Sequence, residues 1–218
     1  MSPSSPPRQA LRDTLWFPCY LLAYLLLERL PNRPWHPTQL PLDRLVPFCP
    51  WFVIPYCLWY PLLAGTGVWL WLRRPAAFRR YMAFLAASFL LSALIWVLFP
   101  SIQNLRPAVL PQNSPLAALV AGLYRLDTPT NVFPSVHVVG SAGAALAVWD
   151  GAGARSPLTW AAGILAALIC LSTVFIKQHA LADVAGGMAL SLLVAVPIYS
   201  RRSGKEAKAS RHRGRETA

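Results

Sequence analysis

Apolar positions in this chain fall in six long runs, over residues 14–27, 51–72, 81–99, 135–149, 158–176 and 181–199. They neither alternate as in a half-buried strand nor form a single helical stripe. A segment apolar on every side predicts a helix in lipid, and a bilayer asks for about 20 such residues. The first run is short for that length. It lacks a small-x-small cleavage site and ends at Glu28-Arg29, so it reads as a retained span, with a partly interfacial helix as the alternative. Between the runs, residues 31–50 hold six prolines and predict an irregular loop. Residues 100–134 form a long loop carrying Arg106, Arg125 and Asp127, and loops of that length tend to be functional. GSAGAA (140–145) predicts close helix approach, and Gly186-Gly187 sits near the start of the last run. The expected fold is all-α, a polytopic membrane bundle of about six transmembrane helices over residues 14–200. A disordered Ser/Pro-rich leader (1–13) precedes it and a disordered basic tail (201–218) follows.

Composition sharpens this picture. Hydrophobic residues make up 56% of the 218, charged residues 13%, and mean hydropathy is +0.43. Soluble domains carry about 25% charged residues. The net charge of +12 is clustered, with RRPAAFRR at 73–80 and seven Lys and Arg after residue 199. Such clusters mark cytoplasmic membrane ends and favour an anionic leaflet, which excludes nucleic acid as the partner. With six spans both termini share a side. That side holds fourteen of the 20 basic residues, so both termini are expected in the cytoplasm. The four cysteines form no C-x-x-C pair and read as small core residues, and no metal site or cofactor is expected.

On the opposite, non-cytoplasmic face the topology gathers Arg106, Ser135, His137, Lys177, His179 and Asp183. Ionisable residues at membrane boundaries are costly and point to function. In KQHALAD (177–183), His179 and Asp183 stand four apart and share a helix face if the last span begins there. A carboxylate holding one imidazole nitrogen leaves the other nitrogen free to attack phosphorus. Taken alone, that pair is better explained by a structural His–Asp hydrogen bond tying two helices together. The second histidine changes the balance. His137 follows Pro134-Ser135 at the start of a span, where free backbone N–H groups suit an anion and an imidazole can protonate a leaving alkoxide. The plain alternative makes Ser135 an N-cap and leaves His137 at the interface. Arg106 and Lys177 are the cations placed to bind phosphate, or to anchor at the interface. Asp127 pairs with Arg125 or lines the entrance.

Three stretches, Arg106-Pro107, PSVH (134–137) and STVFIKQHALAD (172–183), resemble the signature of the type 2 phosphatidic-acid phosphatase superfamily, K-x-x-x-x-x-x-R-P, P-S-G-H and S-R-x-x-x-x-x-H-x-x-x-D. NVFPSVH (131–137), STVFIKQH and the segment 42–61 are closer to the branch of inositolphosphorylceramide-synthase-like phosphotransferases. The resemblance implies a six-span bundle with metal-independent phosphate-ester chemistry. In it His179 is the nucleophile, Asp183 its orienting partner, His137 the general acid, and Ser135 and Arg106 bind phosphate. The sequence departs from the signature at Phe99, Thr173 and Val136, where the family has Lys, Arg and Gly. Lys177 replaces one lost charge.

The expectation is an integral membrane enzyme, in a plasma (inner) membrane, hydrolysing a lipid phosphate or phosphodiester at the outer face through a phosphohistidine. The alternatives are transfer of a phospho-headgroup to an alcohol such as inositol or a sphingolipid, and a catalytically weak protein that binds lipid phosphate. The sequence does not give the oligomeric state.

Overall fold

The computed structural model of the chain describes residues 12–28, 34–111 and 114–216, so the expected leader lies almost wholly outside the described residues. What is described is mostly helix with almost no strand. The helices are α1 (Trp16–Glu28), α2 (Val53–Cys57), α3 (Trp59–Arg73), α4 (Pro75–Leu98), α5 (Pro115–Leu126), α6 (Val136–Ala152), α7 (Pro157–Phe175) and α8 (Leu181–Glu216). Among the described residues four stretches are long and apolar enough to cross a membrane: Pro50–Arg73, α4, α7 and Leu181–Ser200 of α8. Two of the six expected spans, α1 with 13 residues and α6 with 17, are shorter helices.

Several boundaries follow from local chemistry. Ser114-Pro115 and Ser156-Pro157 open α5 and α7, each serine capping a backbone N–H and each proline taking a position that needs no N–H donor. The second span divides into α2 and α3 at Leu58. Pro61 lacks an N–H and its ring crowds the carbonyl four residues back, which is that of Cys57. Helix α8 continues through residues 201–216, where the sequence predicts a disordered tail; its Lys, Glu, Ala and Arg are strong helix formers that extend a helix already begun. The loop expected at 100–134 contains α5, a 12-residue helix opened by Ser114-Pro115.

Helix α4 explains the apolar character on all sides. Its buried positions, among them Tyr81, Phe84, Leu85, Ser88, Phe89, Ser92 and Trp96, recur at helical spacing, while Leu90, Leu91, Leu94 and Leu98 are exposed. One face packs and the rest is left for lipid. Helix α6 is the axis, packed against α3, α4, α7 and α8. Its small residues permit this, since a Cβ on Gly140 would lie 2.8 Å from the Trp59 ring nitrogen. None of the four cysteines is fully buried, so they line the periphery of this core. A two-residue parallel pairing, His36–Pro37 (β1) with Ser101–Ile102 (β2), ties the proline-rich loop to the loop after α4.

Candidate active site

His137 stands in the first turn of α6. Ser135 is the N-cap, its hydroxyl accepting from the Val138 N–H at 3.5 Å. The Ser135 N–H donates to the Asp183 carbonyl at 3.1 Å, which joins the start of α6 to the start of α8. Gly187 makes that approach possible, because a Cβ there would lie 2.8 Å from the Ser135 carbonyl oxygen and 2.9 Å from Val138 Cβ. The His137 ring is buried between Tyr56 (centroids 4.5 Å, planes 30° apart) and Trp59 (4.6 Å).

His179 reaches the same place from the turn between α7 and α8. The Lys177 N–H donates to the Val174 carbonyl at 3.1 Å and the Gln178 N–H to that of Thr173 at 2.9 Å. Lys177 itself is left-handed at φ 57°. This is the paired-bond ending usual for a helix that stops on glycine. Thr173 thus serves the turn: its carbonyl also accepts from the His179 N–H at 3.0 Å, and its hydroxyl is turned to the Cys170 carbonyl. Gln103, fully buried, donates its amide to the carbonyls of Lys177 (2.9 Å) and Gln178 (3.3 Å).

The Lys177 ammonium points away from the histidines, donating to the carbonyls of Asp43 at 3.0 Å and Val46 at 2.6 Å. Burial pulls its pKa below the ordinary lysine value, with the Asp43 carboxylate opposing. Asp43, buried in the proline-rich loop, accepts from the Leu181 N–H at 2.7 Å and the Leu40 N–H at 2.6 Å, and so secures the first turn of α8.

The two imidazoles face each other, with His179 Nε2 3.4 Å from His137 Nδ1. On the other side of the His179 ring, Nδ1 lies 3.6 Å from Asp183 Oδ2, in contact but beyond hydrogen-bond length. Asp183 Oδ2 accepts from the Ala180 N–H at 2.7 Å, which fixes the carboxylate. Among the described residues, His137 Nε2, His179 Nδ1 and Asp183 Oδ1 are buried with no hydrogen-bond partner. Buried polar atoms are almost always satisfied, and exceptions cluster where chemistry is done.

Arg106 joins from the loop after α4. Its guanidinium lies over the Tyr124 ring at 4.4 Å, donates to the carbonyls of Tyr124 (3.1 Å) and Asp127 (2.6 Å), and meets Gln178 Oε1 at 2.6 Å. The Tyr124 hydroxyl, in α5, is pushed up to about 12 by burial, with Arg106 opposing. Asp127 occupies a position that its sequence neighbours do not reveal. Its carboxylate accepts from Gln178 Nε2 (2.9 Å), the Tyr56 hydroxyl (3.0 Å) and the Tyr24 hydroxyl (3.3 Å), and the described residues show no ion pair with Arg125. The fold therefore brings Ser135, His137, His179 and Asp183 together, links Arg106 to them through Gln178, and turns Lys177 elsewhere. Sequence reasoning missed Asp43, Tyr56, Gln103 and Gln178. The polar residues among them stand in loops or turns with no periodic partner to flag them, and Tyr56 passes for one more aromatic of an apolar span.

Phe99 stacks on the His36 ring at 4.5 Å with planes 9° apart, and it meets Phe133 edge-on at 6.1 Å. No cation stands at either departure from the signature. A family model described as the PAP2 superfamily matches residues 80–206, more than half of the chain. No curated protein and no solved structure matches.

Proposed function

The chain belongs to the PAP2 superfamily, whose members are phosphatases or phosphotransferases, and from that premise we propose an integral membrane phosphoesterase that transfers phosphorus through His179. The observation that carries this reading is the pair of facing nitrogens, His179 Nε2 and His137 Nδ1 at 3.4 Å, with the Asp183 carboxylate behind the first ring. Asp183, on closing the 3.6 Å to Nδ1 to hydrogen-bond length, holds the proton there and leaves the Nε2 lone pair to attack phosphorus. The P–O bond to the leaving alkoxide breaks and His137 gives that oxygen its proton. Water, losing a proton to the same imidazole, then cleaves the phosphohistidine. An attacking nitrogen needs phosphorus within about 3–3.5 Å, and 3.4 Å between the two nitrogens leaves no room for it, so substrate must part them. Arg106 and the first N–H groups of α6 supply positive potential for the phosphoryl oxygens.

A second reading, headgroup transfer from a phosphodiester to an alcohol, is favoured by the scarcity of charge. Positions 99 and 173 are uncharged, and the Lys177 ammonium is engaged with backbone carbonyls. A diester carries a single negative charge and needs fewer cations than a monoester dianion. The face is read from charge. Arg80 and Asp150 pair at the far end of α6 from His137, and the basic cluster 73–80 belongs at a cytoplasmic surface. The site then opens to the outer leaflet of a plasma (inner) membrane, with lipid phosphate as substrate.

Purified protein in mixed micelles, given a panel of lipid phosphates and phosphodiesters, tests both readings when free phosphate and new lipid products are followed together. Phosphate release that His179→Ala abolishes supports hydrolysis. A new phosphodiester with little free phosphate supports transfer. Silence from a folded protein would move the assignment to lipid-phosphate binding. Activity is expected to survive EDTA, and inhibition reversed by a divalent ion would overturn the metal-independent mechanism.

A further inference from the structure

Behind the two histidines lies a polar relay that the proposed chemistry does not itself use. Gln178 stands between Lys177 and His179, and its amide is read at both ends: Nε2 donates to the Asp127 carboxylate at 2.9 Å, and Oε1 accepts from the Arg106 guanidinium at 2.6 Å. Those two partners leave the amide a single orientation, since a carboxylate only accepts and a guanidinium only donates. Asp127 is fixed in turn by the Tyr56 and Tyr24 hydroxyls, from the second span and from α1. Its backbone carbonyl takes a second bond from the same Arg106 nitrogen at 2.6 Å. The Tyr56 ring is the one stacked on His137 at 4.5 Å. One carboxylate therefore touches, through a single intermediary each, the phosphate-binding arginine and the general acid.

We propose that Asp127 and Gln178 are positioning residues that hold the Arg106 guanidinium, and the Tyr56 ring under His137, in register with His179. This deepens the reading of the site as one that binds a phosphate ester and rests on it. In solution a free arginine side chain samples many rotamers, and fixing it before substrate arrives removes that entropic cost from binding. The relay thus acts on affinity for the phosphate group and on the efficiency of proton transfer, without touching the reacting atoms.

The amide's fixed orientation gives a specific test. Gln178→Glu sets two carboxylates against each other where the amide and Asp127 now meet at 2.9 Å. Asp127→Asn can turn its own amide so that oxygen still meets Gln178, and should cost little. The double variant restores a donor–acceptor pair, with the amide introduced at position 127 donating to the carboxylate introduced at position 178. Wild type, both single variants and the double variant would be compared for binding of a non-hydrolysable lipid phosphonate in micelles, for kcat and KM, and for melting temperature. Gln178→Glu is expected to weaken phosphonate binding about a hundredfold and Asp127→Asn less than about threefold. The double variant should recover at least about tenfold, as coupled neighbours do. Gln178→Glu binding like wild type, a double variant no better than Gln178→Glu, or a wild type that does not bind the phosphonate would each overturn the proposal. If phosphonate binding follows the expected pattern but no lipid phosphate turns over, the relay stands and the catalytic reading fails. If turnover depends on His179 but ignores these variants, the catalytic reading stands and the relay fails.

Discussion

At the C-terminal end of α6, Asp150 is 1% exposed and Arg80 closes on it at 2.6 Å, with Arg74 donating to the neighbouring Gly151 carbonyl at 2.8 Å. At the N-terminal end of the same helix, His137 and His179 are also buried, yet among the described residues each keeps a ring nitrogen with no partner, and Asp183 keeps an oxygen so. The two ends of one helix thus differ in how completely their buried carboxylates and imidazoles are paired. Where charge serves the fold, it is paired, because an unpaired buried charge is costly. On the proposed reading of His179 and His137 as reacting groups, lone pairs and donors there are left for a substrate to complete, and the cost is borne by the surrounding packing of Tyr56, Trp59 and the α6–α8 contact.

The largest effect should come from breaking the reactive end. His179→Ala is expected to remove turnover by at least about a thousandfold, as loss of a nucleophile does, while the melting temperature in detergent changes little. Wild-type activity in that variant would end the phosphohistidine mechanism. The paired end should respond the other way. Arg80→Ala removes the guanidinium from the Asp150 carboxylate and should destabilise the protein by about 1.5–3 kcal/mol, read by chemical unfolding in micelles, with kcat of the surviving fraction near wild type. Equal losses of kcat at both ends would erase the contrast.

A smaller effect tests what joins the two halves of the site. Gly187→Ala puts a methyl 2.8 Å from the Ser135 carbonyl oxygen, and overpacking of this kind costs about 1–3 kcal/mol. Activity should fall more than stability alone explains, because the strain separates His137 from His179; a kcat unchanged at full folding would show that this contact does not set the pair. The smallest effect is expected for Lys177→Met. Its ammonium holds the carbonyls of Asp43 and Val46, so it should lose about 1–2 kcal/mol of stability and raise KM less than about threefold. A KM increase matching that of Arg106→Ala would show that the side chain swings to phosphate during the reaction.

The apolar runs, the Pro134-Ser135 start of α6 and the meeting of Ser135, His137, His179 and Asp183 were legible from the chain, since spans and caps are local properties written in consecutive residues. The division of the second span at Leu58 was less so, because it depends on short-range competition within uniformly apolar sequence, and the helix inside the loop at 100–134 is short and set between irregular segments. Lys177 illustrates the limit at the site. Its spacing beside His179 suggests a phosphate ligand, but the left-handed turn that ends α7 sends the side chain to the proline-rich loop. Asp127 illustrates the converse, a carboxylate with no role in its own neighbourhood that meets Tyr24, Tyr56 and Gln178 from three distant segments.

By itself the sequence determined the long apolar helices, the family and the choice of two histidines and an aspartate as the candidate site. Those follow from composition and from short spacings on helix ends. Only the tertiary structure decided which nitrogen faces which, which cation stays at the site, and which buried amide connects it to Asp127. Those are distances between segments far apart in the chain, set by how closely α8 can approach α6, and no local pattern carries that information.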